Sequence, residues 1–361
     1  MSYRVFRLQL FPMEPLHFGY GEQRGNVLPS LPYIPGRALR GALGAWAHRN
    51  CFLDSGDEAF QKVFGEECVD GACDYDISFP CCYLKDRVPA PLSLFEVKGG
   101  GSDPRLRFVK KNSWRLIHTK NLQVYTDPEY LVDFLCRSEW PSEVETWTLQ
   151  PVKNATIWNG LVYPAHELQV ELHAAHEENT GRVGQEGLFA EELLPRSTGL
   201  SVETNDAVWY GGQLIFDAAN ESLSKIFEKL TLPEGTRPDV WEEVSPWNII
   251  FLGRRRVPVA VFAKEETVSG AGQDNGSNEV TLTFTTDLKG KGDDNPFPPS
   301  ADYFKKLLNV EVKEKLRAFA AQGYATGGIH LPGKPFRALP AAPTLRAGSC
   351  LRLQLASGSD S

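Results

Sequence analysis

The order of strand-like and helix-like segments constrains the fold more than any other feature of this sequence. The hydrophobic pattern predicts a strand at 3–11 and a helix at 36–48, then further strands with a second helix at 222–232. A long alternation of single strands and helices is missing, which argues against a doubly wound parallel sheet. We therefore predict an α+β protein with two ferredoxin-like (RRM-like) domains, at 1–152 and 153–361.

Several stretches interrupt this order. Residues 50–104 are rich in Cys, Gly, Asp and Pro, which predicts an insertion of loops and short strands in the first domain. In the second domain, the polar stretches 267–279 and 289–299 are predicted to be disordered loops. A further helix is predicted at 128–140, and GYATGGIHLPGKPFRALPAAP (323–343) predicts a glycine-rich C-terminal loop.

The distribution of apolar and basic residues indicates in which cellular compartment the protein is located. No apolar stretch approaches the roughly 18 residues that span a membrane. The start, MSYRVFRLQLFPM, lacks the basic, apolar and small-residue regions of a signal peptide. We expect a cytoplasmic protein with no membrane partner, in which the seven cysteines are thiols or metal ligands rather than disulfides.

Charges of opposite sign are separated along the chain, although the net charge is −8. Residues 1–49 contain six arginines and two glutamates, and 105–120 contain six basic residues and no acidic one. Three arginines follow one another at 254–256. A chain with this distribution can present one basic face to a polyanion while it remains acidic overall.

The segment PYIPGRALRGALGAWA (32–47) predicts a helix with an unusual glycine content, since a Gly inside a helix costs about 1 kcal/mol relative to Ala. An apolar stripe of Leu39, Leu43, Trp46 and Ala47 faces the core, and the opposite stripe holds Arg37, Arg40, Gly41, Gly44 and His48. Two interpretations are open. The second stripe binds phosphate through arginines and closely approached backbone, or its glycines make a tight helix contact.

The cysteines and histidines indicate a functional site less strongly than the segment 32–47 does. Cys68, Cys73, Cys81 and Cys82 lie in the predicted insertion, at a spacing that departs from the paired CxxC of strong zinc sites. Two interpretations are open: these cysteines bind a structural zinc ion, or they are small side chains buried in the core. No other cofactor is expected. His48 and His173 are candidate general bases for RNA cleavage without a metal.

Five segments carry a family resemblance. They are PYIPGRALRGALGAWA, RVPAPLSLFEVK (87–98), HAAHEENTGRVGQEGLFAEELLP (173–195), FLGRRR (251–256), and GYATGGIH with ALPAAPTLRAGSCLRL near the end. In order and spacing they resemble the RAMP superfamily, the RNA-binding subunits of CRISPR effector complexes. The set is most similar to the type III-D subunit that caps the 5′ handle of the guide RNA.

The resemblance implies a subunit that binds guide RNA and has no nuclease centre of its own. Its implied partners are a large palm-domain subunit, backbone RAMP subunits and, indirectly, target RNA. The residues predicted to bind RNA are Gly36, Arg37, Arg40, Gly41, Arg105, Arg107, Lys110, Lys111, Arg115, Arg254, Arg255, Arg256, Gly327, Gly328 and Lys334. The alternatives are a metal-independent endoribonuclease that processes guide-RNA precursors, with His48 or His173 as the base, and a scaffold that contacts only protein.

Overall fold

A computed structural model gives the fold of the protein. It describes residues 3–19, 26–50, 63–64, 79–97, 114–115, 131–133, 149–151, 155–158, 161–164, 168–176, 183–200, 208–231, 240–253, 255–266, 278–289, 295–308, 310–329 and 337–356. The fold of these residues is of the mixed α+β class and rich in sheet, as predicted.

Short strands dominate the described residues. The strands are β1 (Tyr3–Pro12), β2 (Val27–Leu28), β3 (Tyr83–Leu84), β4 (Val88–Pro89), β5 (Leu94–Val97), β6 (Trp114–Arg115), β7 (Leu131–Asp133), β8 (Leu149–Pro151), β9 (Ala155–Trp158), β10 (Leu161–Pro164), β11 (Gln169–His176), β12 (Val183–Leu193), β13 (Tyr210–Asp217), β14 (Ile249–Leu252), β15 (Val257–Glu266), β16 (Glu279–Thr283), β17 (Leu288–Lys289), β18 (Val312–Phe319), β19 (Gln322–Ile329), β20 (Arg337–Leu345) and β21 (Cys350–Leu355). The α-helices are α1 (Gly36–Arg49), α2 (Glu221–Leu230) and α3 (Ala301–Leu308), and two 3-10 helices span Trp241–Glu243 and Pro246–Asn248.

The chain divides into two compact units. Unit 1 consists of Met1–Arg87, His166–Ser269 and Leu331–Gly333, and unit 2 consists of Val88–Ala165, Gly270–His330 and Lys334–Ser361. Each unit contains residues from both sides of position 152. The predicted domain boundary at 152/153 stays a prediction.

The main sheet of unit 1 is five-stranded, in the order β14-β15-β1-β13-β3. All its neighbouring strands are antiparallel. α1 follows β1 in the chain and α2 follows β13. A smaller sheet, β11-β12-β2, completes the unit, and in it β12 pairs antiparallel with β11 and parallel with β2.

Aromatic packing joins α2 to the main sheet. The ring of Phe6 on β1 stacks on Phe216 of β13 at 5.7 Å and lies 5.5 Å from Phe227 of α2. Burial of one such side chain stabilises the fold by about 1.5–3 kcal/mol. α2 begins where the side chain of Asn220 accepts a hydrogen bond from the amide of Leu223 at 3.0 Å, because this satisfies a donor that the helix leaves unpaired.

α1 buries the apolar stripe that the sequence predicts. Leu39, Leu43, Trp46 and Ala47 are all buried. The indole nitrogen of Trp46 donates a hydrogen bond to the carbonyl of Trp247 at 2.8 Å, which ties α1 to the segment that leads into β14. The stripe therefore fixes which face of α1 remains available for other contacts.

Unit 2 contains four small sheets and α3. The strand orders are β4-β9-β10-β6, β16-β21-β18, β17-β20-β19 and β7-β5-β8. Phe304 of α3 is buried with Leu351 and Leu353 of β21. Most of the predicted loop at 267–279 lies outside the described residues, and its last residue, Glu279, belongs to β16. In the predicted loop at 289–299, Lys289 belongs to β17, and the described residues 295–299 form neither helix nor strand.

Two local predictions differ from the structure. Within the predicted helix at 128–140, the described residues Leu131–Asp133 form β7, because they pair with β5. Gly327 and Gly328 belong to β19, which pairs with β20, rather than to the predicted glycine-rich loop. The ladder shifts its register between Ala325 and Gly327, and a strand commonly accommodates glycine at such a bulge.

The helices that the structure describes are too short or too polar to cross a membrane.

Candidate functional site

A groove of ≈ 810 Å³ in unit 1 is the candidate site. One wall is a face of α1, and another is formed by β14 and the turn that leads to β15. The segment after β1, from His17 to Gly19, also lines it. The groove therefore lies where two of the sequence segments with a family resemblance, 32–47 and 251–256, come together.

Small residues form the α1 side of the groove. They are Ala38, Gly41, Ala42 and Ala45, which repeat at the spacing of one helix face. Among the residues that the structure describes, no atom lies within 4 Å of the position that a Cβ atom would take at Gly41. A ligand can therefore approach the helix backbone closely at this point.

The other glycines of α1 meet the chain itself. A Cβ atom at Gly36 would lie 2.1 Å from the carbonyl oxygen of Phe79, so Gly36 allows this close approach of backbone. A Cβ atom at Gly44 would lie 3.0 Å from the ring of Phe64. Gly44 therefore makes a tight packing contact, while Gly41 opens into the groove. The phosphate-binding interpretation of this stripe stays a prediction.

Three arginines line the groove. Arg37 is the second residue of α1, Arg49 is the last, and Arg256 lies in the turn before β15. All three are exposed. None of the described residues that line the groove is acidic. The groove therefore offers a positively charged surface that suits an anionic ligand.

The backbone and neighbours of two of these arginines shape the groove. Arg256 has φ = 51°, in the left-handed region, and its amide donates a hydrogen bond to the carbonyl of Gly253 at 3.2 Å. Gly253 has φ = 72°. Arg49 donates a hydrogen bond to the carbonyl of Ile249 at 3.0 Å, and its guanidinium lies 5.1 Å from the ring centroid of Phe251.

A buried carboxylate lies behind the groove. Glu191 of β12 is 4 % exposed and forms an ion pair with Arg255 of the β14–β15 turn. Its other oxygen lies 3.4 Å from Nδ1 of His17, a residue that lines the groove. Nε2 of His173 lies 3.3 Å from the oxygen that Arg255 contacts. These contacts connect the turn that carries Arg256 to the β11–β12 hairpin.

The comparison with known families identifies the chain. The model of the RAMP superfamily matches residues 13–256. The chain belongs to the RAMP superfamily. This confirms the resemblance seen in the sequence, and every residue that lines the groove lies within the matched range.

Solved structures share low sequence identity with this RAMP protein. A chain from the cryo-EM structure of type III-B Cmr-beta bound to cognate target RNA is 12% identical, with a TM-score of 0.40 and coverage of 96% of this chain and 86% of that chain. Oligomeric Cmr4 from Pyrococcus furiosus is 15% identical, with a TM-score of 0.28 and coverage of 74% and 100%. No curated protein matches the chain.

The structure of the RAMP protein brings part of the predicted RNA-binding set together. Arg37, Gly41 and Arg256 line the groove, and Arg255 lies beside it in the ion pair with Glu191. The backbone of Arg115 belongs to β6 and that of Gly327 and Gly328 to β19. Both strands are in unit 2. Outside the described residues lie Arg105, Arg107, Lys110, Lys111, Arg254 and Lys334. Their role stays a prediction.

Arg40 and Gly36 do not line the groove. Nε of Arg40 donates a hydrogen bond to the carbonyl of Val63 at 3.1 Å, and burial lowers the pKa of Arg40 to about 10. At neutral pH the guanidinium remains protonated. The predicted stripe on α1 therefore splits, with Arg37 and Gly41 at the groove and Arg40 and Gly44 against residues 63–64.

The candidate bases and the described candidate zinc ligands, Cys81 and Cys82, lie outside the groove lining. Neither His48 nor His173 lines the groove, and the ring of His173 stacks on Phe189 at 5.1 Å. The endoribonuclease hypothesis stays a prediction. Cys81 and Cys82 are buried, and burial raises the pKa of the Cys82 thiol. Cys68 and Cys73 lie outside the described residues, so the zinc hypothesis also stays a prediction.

The predicted site residues omit most of the groove lining, and four of the omitted side chains at or behind the groove matter for its chemistry. They are His17, Arg49, Glu191 and Phe251. One signal could have indicated Arg49, because Ala38, Ala42, Ala45 and Arg49 follow one face of a helix at i, i+4, i+7 and i+11. The ion pair of Glu191 joins residues 64 positions apart, and no local pattern reports such a contact.

Proposed function

We propose that this RAMP protein is a guide-RNA-binding subunit of a type III CRISPR ribonucleoprotein, and that it caps the 5′ handle of the guide. Membership of the superfamily supports an RNA-related function. The five segments that resemble the type III-D capping subunit support the more specific assignment. The proposed partners are guide RNA, a large palm-domain subunit and backbone RAMP subunits.

The groove is the observation that carries the proposal. Arg37, Arg49 and Arg256 supply guanidinium groups, which bind phosphate oxygens with two parallel hydrogen bonds. The start of α1 adds the positive end of the helix dipole, which favours an anion. At Gly41 the helix lacks a side chain that would keep a sugar–phosphate backbone away.

We also propose that unit 1 contains a ferredoxin-like domain. Its elements β1, α1, β3, β13, α2 and β15 follow the order β-α-β-β-α-β, and the strands are neighbours in the order β15-β1-β13-β3. This antiparallel arrangement supports the proposal. The second ferredoxin-like domain, which the sequence predicts at 153–361, stays a prediction.

Charge reversal in the groove tests the function. The test variant combines Arg37→Glu with Arg256→Asp, because Asp tolerates the left-handed backbone at position 256. The matched control combines Lys225→Glu with Lys229→Glu, two exposed lysines of α2 outside the groove lining. Both variants change the net charge equally, so a general electrostatic effect appears in both.

The readout is the binding of fluorescent single-stranded RNA with the guide 5′ handle, measured by anisotropy over a range of salt concentrations. For the test variant we expect weaker binding and a salt slope reduced by about 1.4, since each phosphate contact with a single strand contributes about 0.7. The control variant should keep the slope of the original protein. Equal slopes in all three proteins, or no RNA binding by the original protein, would contradict the proposal.

A further inference from the structure

One aromatic ring in the groove is exposed. Phe251 on β14 lines the groove and is 45 % exposed, whereas its strand neighbours Ile250 and Leu252 are buried. The alternation of a strand places Phe251 on the face opposite to these two residues. The ring therefore contributes little to the core and presents apolar surface to the groove.

The guanidinium of Arg49 accompanies this ring. Its carbon lies 5.1 Å from the ring centroid, at the distance of a cation–π contact. A hydrogen bond from Arg49 to the carbonyl of Ile249 holds the guanidinium at the same strand. The backbone hydrogen bond and the ring contact together give the pair a defined position at the groove wall.

The surroundings distinguish this ring from an ordinary exposed apolar residue. Single exposed apolar residues are common on protein surfaces and need no ligand. Phe251, however, shares its groove with Arg37 and Arg256, and the described lining contains no acidic residue. Aromatic rings beside phosphate-binding arginines form the usual combination for single-stranded nucleic acid.

We propose that Phe251, together with Arg49, is a stacking platform for a nucleobase of single-stranded RNA. The inference rests on the proposed function and adds the side chains that contact a base of the RNA. In a duplex the bases are stacked on one another and paired, so a base can reach the ring only from a single strand. Arg37 and Arg256 bind the phosphates, and Phe251 binds a base.

Three variants of the full chain test the platform. Phe251→Leu removes the ring and keeps an apolar side chain, and Phe251→Tyr keeps the ring. Trp247→Leu is the matched control, because Trp247 is 49 % exposed and does not line the groove. Thermal unfolding of each variant shows whether its fold is intact before binding is measured.

The probes are a fluorescent oligouridine RNA of about 12 nucleotides and the same strand annealed to its complement, since single-strand sites span about 4–16 nucleotides. We expect Phe251→Leu to weaken binding of the single strand about tenfold at every salt concentration, with an unchanged salt slope. Phe251→Tyr and Trp247→Leu should bind as the original protein does. Duplex binding should be weaker than single-strand binding and insensitive to Phe251→Leu.

Abasic sites in the probe locate the base. Replacing one nucleotide at a time by an abasic residue should weaken binding at one or two positions for the original protein. For Phe251→Leu the same replacements should have no further effect. Unchanged affinity of Phe251→Leu, or equal loss for duplex RNA, would overturn the platform. If the salt slope still falls in the charge-reversal variant, the proposed RNA-binding function stands without it.

Discussion

Arg255 forms an ion pair with Glu191, a carboxylate that is almost completely buried. The pair joins the β14–β15 turn to β12, and the next residue in the turn is Arg256 of the groove. The position of a groove arginine thus depends on a contact behind the groove. Removal of either partner tests how strong this connection is.

We expect Arg255→Ala to destabilise the protein by about 2 kcal/mol, because the carboxylate of Glu191 stays buried without its main cation. The loss is smaller than for a fully buried pair since Arg255 is 45 % exposed. Glu191→Gln should cost about 1 kcal/mol, because the amide keeps the shape and removes the charge.

Urea denaturation of both single variants and the double variant measures the coupling. The double variant should be more stable than the sum of the single effects implies, since it leaves neither charge unpaired. Strict additivity of the two losses would show that the ion pair contributes no net stability.

Glycines at 36 and 41 should respond to alanine in opposite directions. Gly36→Ala places a methyl group 2.1 Å from the carbonyl oxygen of Phe79, so the start of α1 must shift. We expect a loss of about 3 kcal/mol. Gly41→Ala should increase stability by about 0.5–1 kcal/mol, because no described residue lies within 4 Å of the added methyl group and alanine favours the helix.

Thermal and urea unfolding of the two variants give these free energies, and each serves as the control for the other. A stabilised Gly36→Ala would mean that the backbone at Phe79 moves freely. RNA binding by Gly41→Ala adds a second readout, because a methyl group in the groove should weaken a close approach of the RNA backbone.

These glycines also show how far sequence reasoning extends. The sequence predicts α1 at 36–48 and its buried stripe correctly, because the period of apolar residues in a helix is a local property. It leaves open which glycine packs and which faces a ligand. Residues 63–64 and Phe79, which decide this, are too far along the chain for any local pattern to place.

The sheet of unit 1 illustrates the same limit. β1 and α2 agree with their predicted segments to within two residues. The sequence does not show that β1 pairs with β13 on one side and with β15 on the other. In these pairings Val5 of β1 lies opposite Ile215 and Glu266. Pairing over such separations depends on tertiary packing rather than on local periodicity.

Asp86 should make stability depend on pH. Burial raises the pKa of its carboxyl above the ordinary value of 3.8, although Nε of Arg7 at 3.2 Å opposes this. An acid with a raised pKa in the folded state contributes stability below its unfolded pKa and loses it as pH rises through the folded pKa. We therefore expect the unfolding free energy of Asp86→Asn, relative to the original protein, to increase between about pH 4 and pH 7.

Asparagine suits this test because Asp86 has φ = 57°, which Asn also adopts readily. Glu265→Gln is the control of opposite sign. A hydrogen bond from Arg4 at 2.8 Å lowers the pKa of Glu265 below its ordinary value of 4.5, so the relative stability of Glu265→Gln should decrease as pH rises toward about 4.5. Urea denaturation at several pH values measures both, and parallel curves for the two variants would refute the assignment.

Arg37 and Arg40 are three residues apart on α1, and their replacement by glutamine should affect different properties. Arg37→Gln removes a positive charge from the groove, so we expect the salt slope of RNA binding to fall by about 0.7 with little change in stability. Arg40→Gln removes the hydrogen bond to Val63 and the packing of the buried stem, so we expect a loss of about 1 kcal/mol in stability.

Anisotropy at several salt concentrations and urea denaturation, applied to both variants, separate the two roles. For Arg40→Gln the slope should stay near that of the original protein, because its guanidinium is turned toward residue 63 rather than the groove. If instead Arg40→Gln lowers the slope and leaves stability unchanged, Arg40 contacts RNA as the sequence predicts. The groove must then rearrange around α1 when RNA binds.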